Sequence, residues 1–420
     1  LEKFLIDGGA PLRGTVRVSG SKNSALPIMT AAILAGGIVT LKDVPRLRDV
    51  ATLGAILAEL GLRVERVGDL IRIETLNPSM CEAPYEMVRK MRGSISVLGP
   101  LLAKRGRAKV ALPGGCVIGV RPVDLHIKGM KALGADIDIK HGDIIATAKR
   151  LKGAEIYLGG AFGSTVTGTA NVMSAAVLAE GHTVIEGAAC EPEIEDLGNF
   201  LNAMGARVKG HGGPRIEIDG VDNLTGADHA VIPDRIEAGT FMIAAAATGG
   251  SIRMENVRPD HLRAPIDKLK EIGVSITVGG GAVHVKCDRR VSATDIVTLP
   301  YPGIPTDLQA QFMALLAVAD GISVITEKIF PDRFMHVAEL NRMGACIRKE
   351  GANAIVAGVK ELSGAPVMAS DLRASAALVV AGMAARGVTE LNRVYHIDRG
   401  YENIEQKLIA LGASIKRVDV

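Results

Sequence analysis

Residues 19–24, Ser-Gly-Ser-Lys-Asn-Ser, end a glycine- and serine-rich turn ahead of the apolar stretch ALPIMTAAILA. A helix N-terminus offers unpaired backbone N–H groups, and Lys22 beside it makes an anion site. The same residues also read as an ordinary N-cap with a solvated lysine. A second group is PGGCVIGVRP, residues 113–122. Its glycines let backbone approach a ligand. It carries Cys116, with Arg121, His126 and Lys128 close by in sequence, and a cationic setting tunes the acidity of a thiol. Arginines recur on short motifs: Arg92 in KMRGS, Arg235 in PDRIE, Arg333 in PDRFMH, Arg373 in SDLRAS and Arg399 in HIDRGYE. DLRAS places its arginine at the start of an alanine-rich helix, which suits anion recognition. Thr306 and Asp307 stand ahead of LQAQFMALLAV, where Asp307 is a helix cap, a catalytic carboxylate, or both. Many anion-binding groups, one cysteine in a glycine loop and one such aspartate describe an enzyme acting on phosphorylated, carboxylated substrates. They do not name the reaction.

These residues are carried by a repeat. A helical stretch ending in Leu or Met, then Gly, then a small residue and a strand recurs six times, as in AELGLRVERV, KALGADIDIK and NRMGACIRKE. The pivots are Gly61, Gly134, Gly205, Gly273, Gly344 and Gly412. They lie about 70 residues apart, longer than the usual solenoid repeat. Glycine suits the place because a helix C-terminus often needs a left-handed residue. An apolar helix, a Gly or Asp-Gly break and an alternating strand precede each pivot, as in SAAVLAEGHTVIEG and LLAVADGISVITEK. Alternation marks a sheet with one buried face. Each unit therefore reads as helix, strand, helix, strand, strand. Six units divide into two domains of three, with a boundary near residues 224–233. The first strand, KFLIDGG, precedes unit one and needs a sheet to join; if it closes the second domain, the chain crosses twice.

The chain has 420 residues, enough for two or more domains. Trp is absent and aromatics are scarce, so Ala, Val, Ile, Leu and Met must build the core. Basic residues number 49 and acidic residues 46, which leaves no footprint for nucleic acid. Five cysteines are scattered without a CxxC pair, which argues against a disulfide framework and a structural zinc site. No apolar run approaches a membrane span and no signal segment stands at the start, so a soluble cytoplasmic protein is expected.

The motifs SGSKNSALP, APYEMVRKMRGS, LPGGCVIGVRPVDLH, EPEIEDL, PDRIEAGTF, PTDLQAQF, DRFMHVAELNRMGA, SDLRASAALV and YHIDRGYENIE together resemble the UDP-N-acetylglucosamine enolpyruvyl transferase family. The resemblance runs from KFLIDGG to LGASIKRV. It implies an α/β fold of two inside-out barrel domains, each of three repeated units with helices inside and sheets facing solvent. The first domain would span 22–232 and the second 1–21 with 233–420. Substrates would bind in the cleft, and the domains would close over them. It implies transfer of the enolpyruvyl group of phosphoenolpyruvate to the 3′-hydroxyl of UDP-N-acetylglucosamine, with release of phosphate.

By the same resemblance Cys116 is the general acid that protonates the methylene carbon, and Asp307 is the base at the sugar hydroxyl. Lys22, Arg121 and Arg399 stand on the phosphate side. Arg333 and Arg373 hold the carboxylate or take part in closure, and Asn23 supports the phosphoenolpyruvate pocket. Arg92 and the run Arg121, Pro122, Val123, Asp124 and Leu125 are UDP-sugar contacts, joined by Phe162, Gly163, Asp307 and Ile329. No metal, other cofactor, membrane or obligate protein partner is implied. Proton donation to carbon, proton removal from a hydroxyl and cations at a leaving phosphate are what such a reaction requires. Asp307→Asn is therefore expected to abolish turnover with the fold intact.

The chain departs from the family at residues 158–165, LGGAFGST, which look one residue shorter and lack a lysine expected beside the nucleotide. The residues leave two other readings open. One is the sister transferase that uses shikimate 3-phosphate, against which the Cys116 loop and HIDRGYE speak. The other is a non-catalytic UDP-sugar-binding paralogue, against which Lys22, Cys116, Asp307, Arg121 and Arg399 are all present.

Overall fold

A computed structural model describes residues 2–112, 123–161 and 163–419. Cys116, Arg121, Pro122 and Phe162 lie outside the described residues. The chain forms two compact units. The first holds the described residues from 20 to 232, and the second holds 2–19 with 233–419. Each has its own hydrophobic core.

The helices at the centre of each unit have no polar face. In the second unit, Arg235–Ala247 is buried at every residue but the last, Leu308 to Leu316 are all buried, and so are Arg373 to Met383. In the first unit, Gly168 to Ala176 are buried without a break. A helix apolar all round belongs inside. These helices pack closely: a Cβ on Gly99 would overlap the Asn171 carbonyl, and one on Gly239 would overlap Leu308. The helices nearer the surface are amphipathic instead. Arg48–Glu59 buries Asp49, Val50, Leu53, Ile56 and Leu57, one stripe at helical spacing.

Six four-stranded sheets cover these helices, beside one two-stranded ribbon among the described residues. Five of the six follow one plan. Val39–Lys42 pairs antiparallel with Leu70–Thr75, which forms a hairpin with Leu62–Val67. A short edge strand, Asp228–Ala230, joins Val39–Lys42 in parallel. The repeat therefore contains the expected helix, strand, helix, strand, strand, plus an edge strand of a few residues too short to leave an alternating pattern. The result is helices inside and sheets outside in each unit, the inside-out arrangement implied by the resemblance.

The last sheet is completed differently. Glu2–Asp7 lies between Val388–Asn392 and Ser414–Asp419 and is antiparallel to both, with Phe4 opposite Leu391 and Arg417. In the other sheets that middle place belongs to the second arm of the hairpin.

Two turns recur with the repeat. All six pivot glycines have positive φ, from 80° at Gly61 to 101° at Gly205. A second left-handed residue follows the first strand of four units: Asp43 at 58°, Gly187 at 65°, Asn256 at 55° and Arg393 at 62°. The remaining two units place Leu112 and Glu327 there, neither with positive φ. No helix among the described residues is long and apolar enough to cross a membrane.

Phe4 is fully buried, and the Arg417 guanidinium stands 4.9 Å from its ring centre. Phe4→Ala should cost about 3–5 kcal/mol, the usual loss for a buried phenylalanine. Chemical denaturation of the variant checks this, and an unchanged midpoint would contradict a central role for the first strand.

Candidate functional site

In the second unit, Asp307 stands in the first turn of Thr306–Leu316. The N-cap of that helix is Pro305, and no side chain caps it. The carboxylate is engaged elsewhere. Arg333 Nη1 donates to Oδ1 at 2.8 Å, and Arg373 Nη2 donates to Oδ2 at 2.9 Å. Arg333 Nη1 also donates to Thr306 Oγ1 at 3.0 Å. Arg373 opens the helix Leu372–Ala384, where the Asp371 side chain accepts from the backbone N–H of Arg373 and Ala374. The guanidinium of Arg373 lies 5.4 Å from the Tyr401 ring centre. Its Nη1 has no hydrogen-bond partner among the described residues.

Behind the carboxylate, Tyr401 OH, Thr240 Oγ1 and Gln311 Nε2 form a buried triangle with sides of 2.9, 3.1 and 3.1 Å. Gln311 is one turn after Asp307 on the same helix. Arg399 ends the short 3-10 helix Val394–Arg399. Its charge and that of Asp371 both act on His396, whose pKa burial lowers first, Arg399 lowers further and Asp371 raises. Ile329 lies in the loop between the strand Ile322–Thr326 and Arg333, with its N–H donated to Glu327.

In the first unit, Ser21 caps Lys22–Ala31, its side chain accepting from Ser24 N. Lys22 is buried and donates to Asp49 Oδ2 at 3.2 Å. Asn23 is half-buried beside it. Ser24 Oγ donates to Asp196, which also holds His229 at 2.8 Å and the Ile232 N–H at 3.2 Å. Arg92 begins the 3-10 helix Arg92–Val97. The next residue, Gly93, packs on Leu26 of the Lys22 helix.

Asp124 and Leu125 begin the helix Asp124–Ala132, just after Val123. His126 on that helix bonds Thr167 through Nε2 at 3.2 Å and Asn171 through Nδ1 at 3.0 Å. The Asn171 amide can only donate to Nδ1, so the ring proton is on Nε2. Burial, reinforced by Arg92 and opposed by Asp124, brings His126 down to about 4. Leu125 reaches the two-stranded ribbon Gly159–Gly160 and Gly163–Ser164, where a Cβ on Gly160 would stand 3.2 Å from it.

Residues 6–408 match the family described as EPSP synthase (3-phosphoshikimate 1-carboxyvinyltransferase). A UDP-N-acetylglucosamine 1-carboxyvinyltransferase of Geobacter metallireducens is 56% identical over 418 residues, covering 100% of both chains. A UDP-N-acetylglucosamine 1-carboxyvinyltransferase 2 of Carboxydothermus hydrogenoformans is 56% identical over 420 residues, again with 100% of each covered. The chain belongs to the enolpyruvyl transferases. Two solved structures share its fold. The enolpyruvyl transferase NikO from Streptomyces tendae has a TM-score of 0.89 at 24% identity, covering 100% of this chain and 99% of its own. EPSP synthase from Acinetobacter baumannii has a TM-score of 0.74 at 22% identity, with 100% of each covered.

In this enolpyruvyl transferase the described candidates fall into two clusters. Lys22, Asn23, Arg92, Val123, Asp124, Leu125 and Gly163 lie on neighbouring elements of the first unit. Asp307, Ile329, Arg333, Arg373 and Arg399 do so in the second. Several charged partners were not singled out from the sequence. Asp49 and Asp196 interrupt apolar helix stripes, which is a readable signal. Glu327 continues the inward phase of its strand after Ser323 and Ile325. Of the other four cysteines, Cys287 is buried, Cys81 and Cys190 are half-buried, and Cys346 is exposed.

The electrostatics of Asp307 revise one expectation. Burial works against its charge, but Arg373 and Arg333 outweigh burial and hold the carboxyl well below the usual carboxylate range. Arg373 and Arg333 are themselves only 2% and 6% exposed. Asp307→Asn would leave two buried guanidiniums without their counter-charge, so the fold does not escape unharmed. The expected loss is about 3–5 kcal/mol at neutral pH. A lowered native pKa means this contribution is present above the unfolded value of about 3.9 and is lost as pH falls through the native value. The stability gap between Asp307→Asn and the parent chain should therefore be full at pH 7 and narrow in acid. Denaturation at several pH values measures it, and equal stability at pH 7 would contradict the pairing.

Proposed function

We infer that this chain transfers the enolpyruvyl group of phosphoenolpyruvate to the 3′-hydroxyl of UDP-N-acetylglucosamine and releases phosphate. Full-length relatives carrying that name support the acceptor. The observation that carries the chemistry is the Asp307 carboxylate between two buried guanidiniums, with Nη1 of Arg373 unclaimed among the described residues.

The reaction is addition followed by elimination. The Cys116 thiol gives its proton to the methylene carbon of phosphoenolpyruvate, and the central carbon becomes cationic in character. The sugar 3′-oxygen bonds to that carbon while Asp307 takes the hydroxyl proton. The resulting tetrahedral intermediate returns a methyl proton to the Cys116 thiolate and expels phosphate, which restores the double bond. A thiol with a reference pKa of about 8.5 is mostly protonated at neutral pH and is a suitable donor. Lys22, Arg121 and Arg399 stabilise the leaving phosphate, and Asn23 supports the same pocket. Arg92, Arg121, Pro122, Val123, Asp124, Leu125, Phe162, Gly163 and Ile329 bind the UDP-sugar.

Asp307 is a poor base while both arginines hold it, because its proton affinity is then low. The substrate carboxylate offers the guanidiniums an alternative partner. As Arg333 and Arg373 turn to it, Asp307 recovers basicity where a proton has to be removed. Substrate binding thus arms the base.

The product of this reaction is committed to cell-wall peptidoglycan, and we place the enzyme in the cytoplasm, acting without a membrane or protein partner. Phosphate release from phosphoenolpyruvate, with UDP-N-acetylglucosamine, with shikimate 3-phosphate and with neither, tests the assignment. Release with shikimate 3-phosphate alone would overturn it.

Cys116→Asp should retain activity with a lower pH optimum, since a carboxylic acid can supply the same proton, and Cys116→Ser should be nearly inactive. Fosfomycin, a small phosphonate epoxide, should label Cys116 faster when UDP-N-acetylglucosamine is present. Peptide mass mapping that found the adduct on Cys346 and left Cys116 free would contradict the acid assignment.

A further inference from the structure

Glu327 is fully buried, yet both of its oxygens are satisfied. Oε1 accepts from Thr298 Oγ1 at 2.7 Å, Ile329 N at 2.8 Å and Phe330 N at 2.9 Å. Oε2 accepts from Thr306 Oγ1 at 2.9 Å. Thr298 Oγ1 in turn accepts from Lys328 N at 3.0 Å. The three N–H groups that follow Glu327, those of Lys328, Ile329 and Phe330, are therefore gathered onto its carboxylate and the neighbouring Thr298 hydroxyl. That loop runs to Arg333, whose own N–H bonds the Phe330 carbonyl at 2.9 Å. The Arg333 guanidinium then returns to Thr306 and Asp307.

The two oxygens have separate tasks. Oε1 holds the loop backbone around Ile329. Oε2 fixes the direction of the Thr306 hydroxyl. A carboxylate only accepts, so the single hydroxyl proton must point at Glu327. The lone pairs of Thr306 are then presented to Arg333 Nη1, the same nitrogen that bonds Asp307. A buried negative charge is thereby relayed through one hydroxyl to the guanidinium.

We propose that Glu327 is a positioning residue of the reaction: through Thr306 it sets where Arg333 stands beside Asp307, and so how Arg333 meets the carboxylate of phosphoenolpyruvate. The proposal rests on the enolpyruvyl-transfer reading given above. Glu327 touches no substrate in this role.

The division of labour makes the role separable from plain structural support. Glu327→Gln keeps an oxygen for the loop N–H groups but turns an NH2 group toward Thr306, which inverts the relay. Thr306→Val removes the relay and leaves the other three bonds of Glu327 in place. Both variants should raise KM for phosphoenolpyruvate about tenfold, the scale of one hydrogen bond to a charged group. KM for UDP-N-acetylglucosamine should stay within about twofold. Thr306→Ser, which restores the hydroxyl, should restore the parent value. A KM for phosphoenolpyruvate unchanged in both variants overturns the proposal, as does an equal rise for both substrates. If Glu327→Gln does not fold, Thr306→Val and Thr306→Ser decide the matter.

Failure of the parent chain to release phosphate from the two substrates would overturn the functional reading instead. The proposal would then be judged on the rise in melting temperature produced by phosphoenolpyruvate alone. Both variants should lose that rise and Thr306→Ser should keep it; a rise of parental size in both variants overturns it.

Discussion

A helix that is apolar on every side has to be covered on every side. The central helices of both units meet that demand with sheets whose inner faces are apolar and whose outer faces meet water. The same demand leaves few places for polar chemistry. A charged group in the middle of such a helix would lie deep among aliphatic side chains, where an unpaired charge is costly. The first turn is different, because it reaches the edge of the packed layer and its backbone N–H groups are open. Lys22, Arg235, Asp307 and Arg373 all stand in first turns. The position of the candidate chemistry follows from the way the core is covered.

Charges at the edge of a core still need partners, and each cluster supplies them internally. Lys22 has Asp49, while Arg333 and Arg373 share Asp307. The two clusters differ in balance: Lys22 and Asp49 pair one to one, whereas the single Asp307 carboxylate is shared by two guanidiniums, and Nη1 of Arg373 keeps no hydrogen-bond partner among the described residues. In a desolvated setting an uncompensated ion is the costly state, so the second cluster is the one that an added anion would stabilise.

The repeat was legible because its two marks are local. A glycine at a left-handed helix end and a strand with period-two alternation are both written in a few adjacent residues, and all six pivots have the positive φ that glycine permits. The edge strands were not legible, since Ile296–Val297 and Glu82–Ala83 are only two residues long. Lys22, Asp307, Arg333 and Arg373 could be picked out by residue type and motif. Their partners could not, because pairing Asp307 with Arg373 joins residues 66 positions apart. Glu327 shows the limit from the other side. It occupies the place where four other units turn left-handed, and only the folded loop shows that its carboxylate has taken over the turn.

The strand Glu2–Asp7 sets an order of events during synthesis. It is made long before the two strands it lies between, Val388–Asn392 and Ser414–Asp419. Residues 20–232 can gather their own core while the ribosome is still working, since they need nothing from the remainder of the chain to close their sheets. The opening strand cannot. It must wait, unpaired and carrying Phe4, Leu5 and Ile6, until both of those strands have been made, with its long-range pairing deferred until then. The residues that flank this apolar run, Glu2, Lys3 and Asp7, are charged. Charge of that kind keeps a waiting edge from joining a neighbour, so the residues that look least needed in the finished sheet protect the strand before the sheet exists.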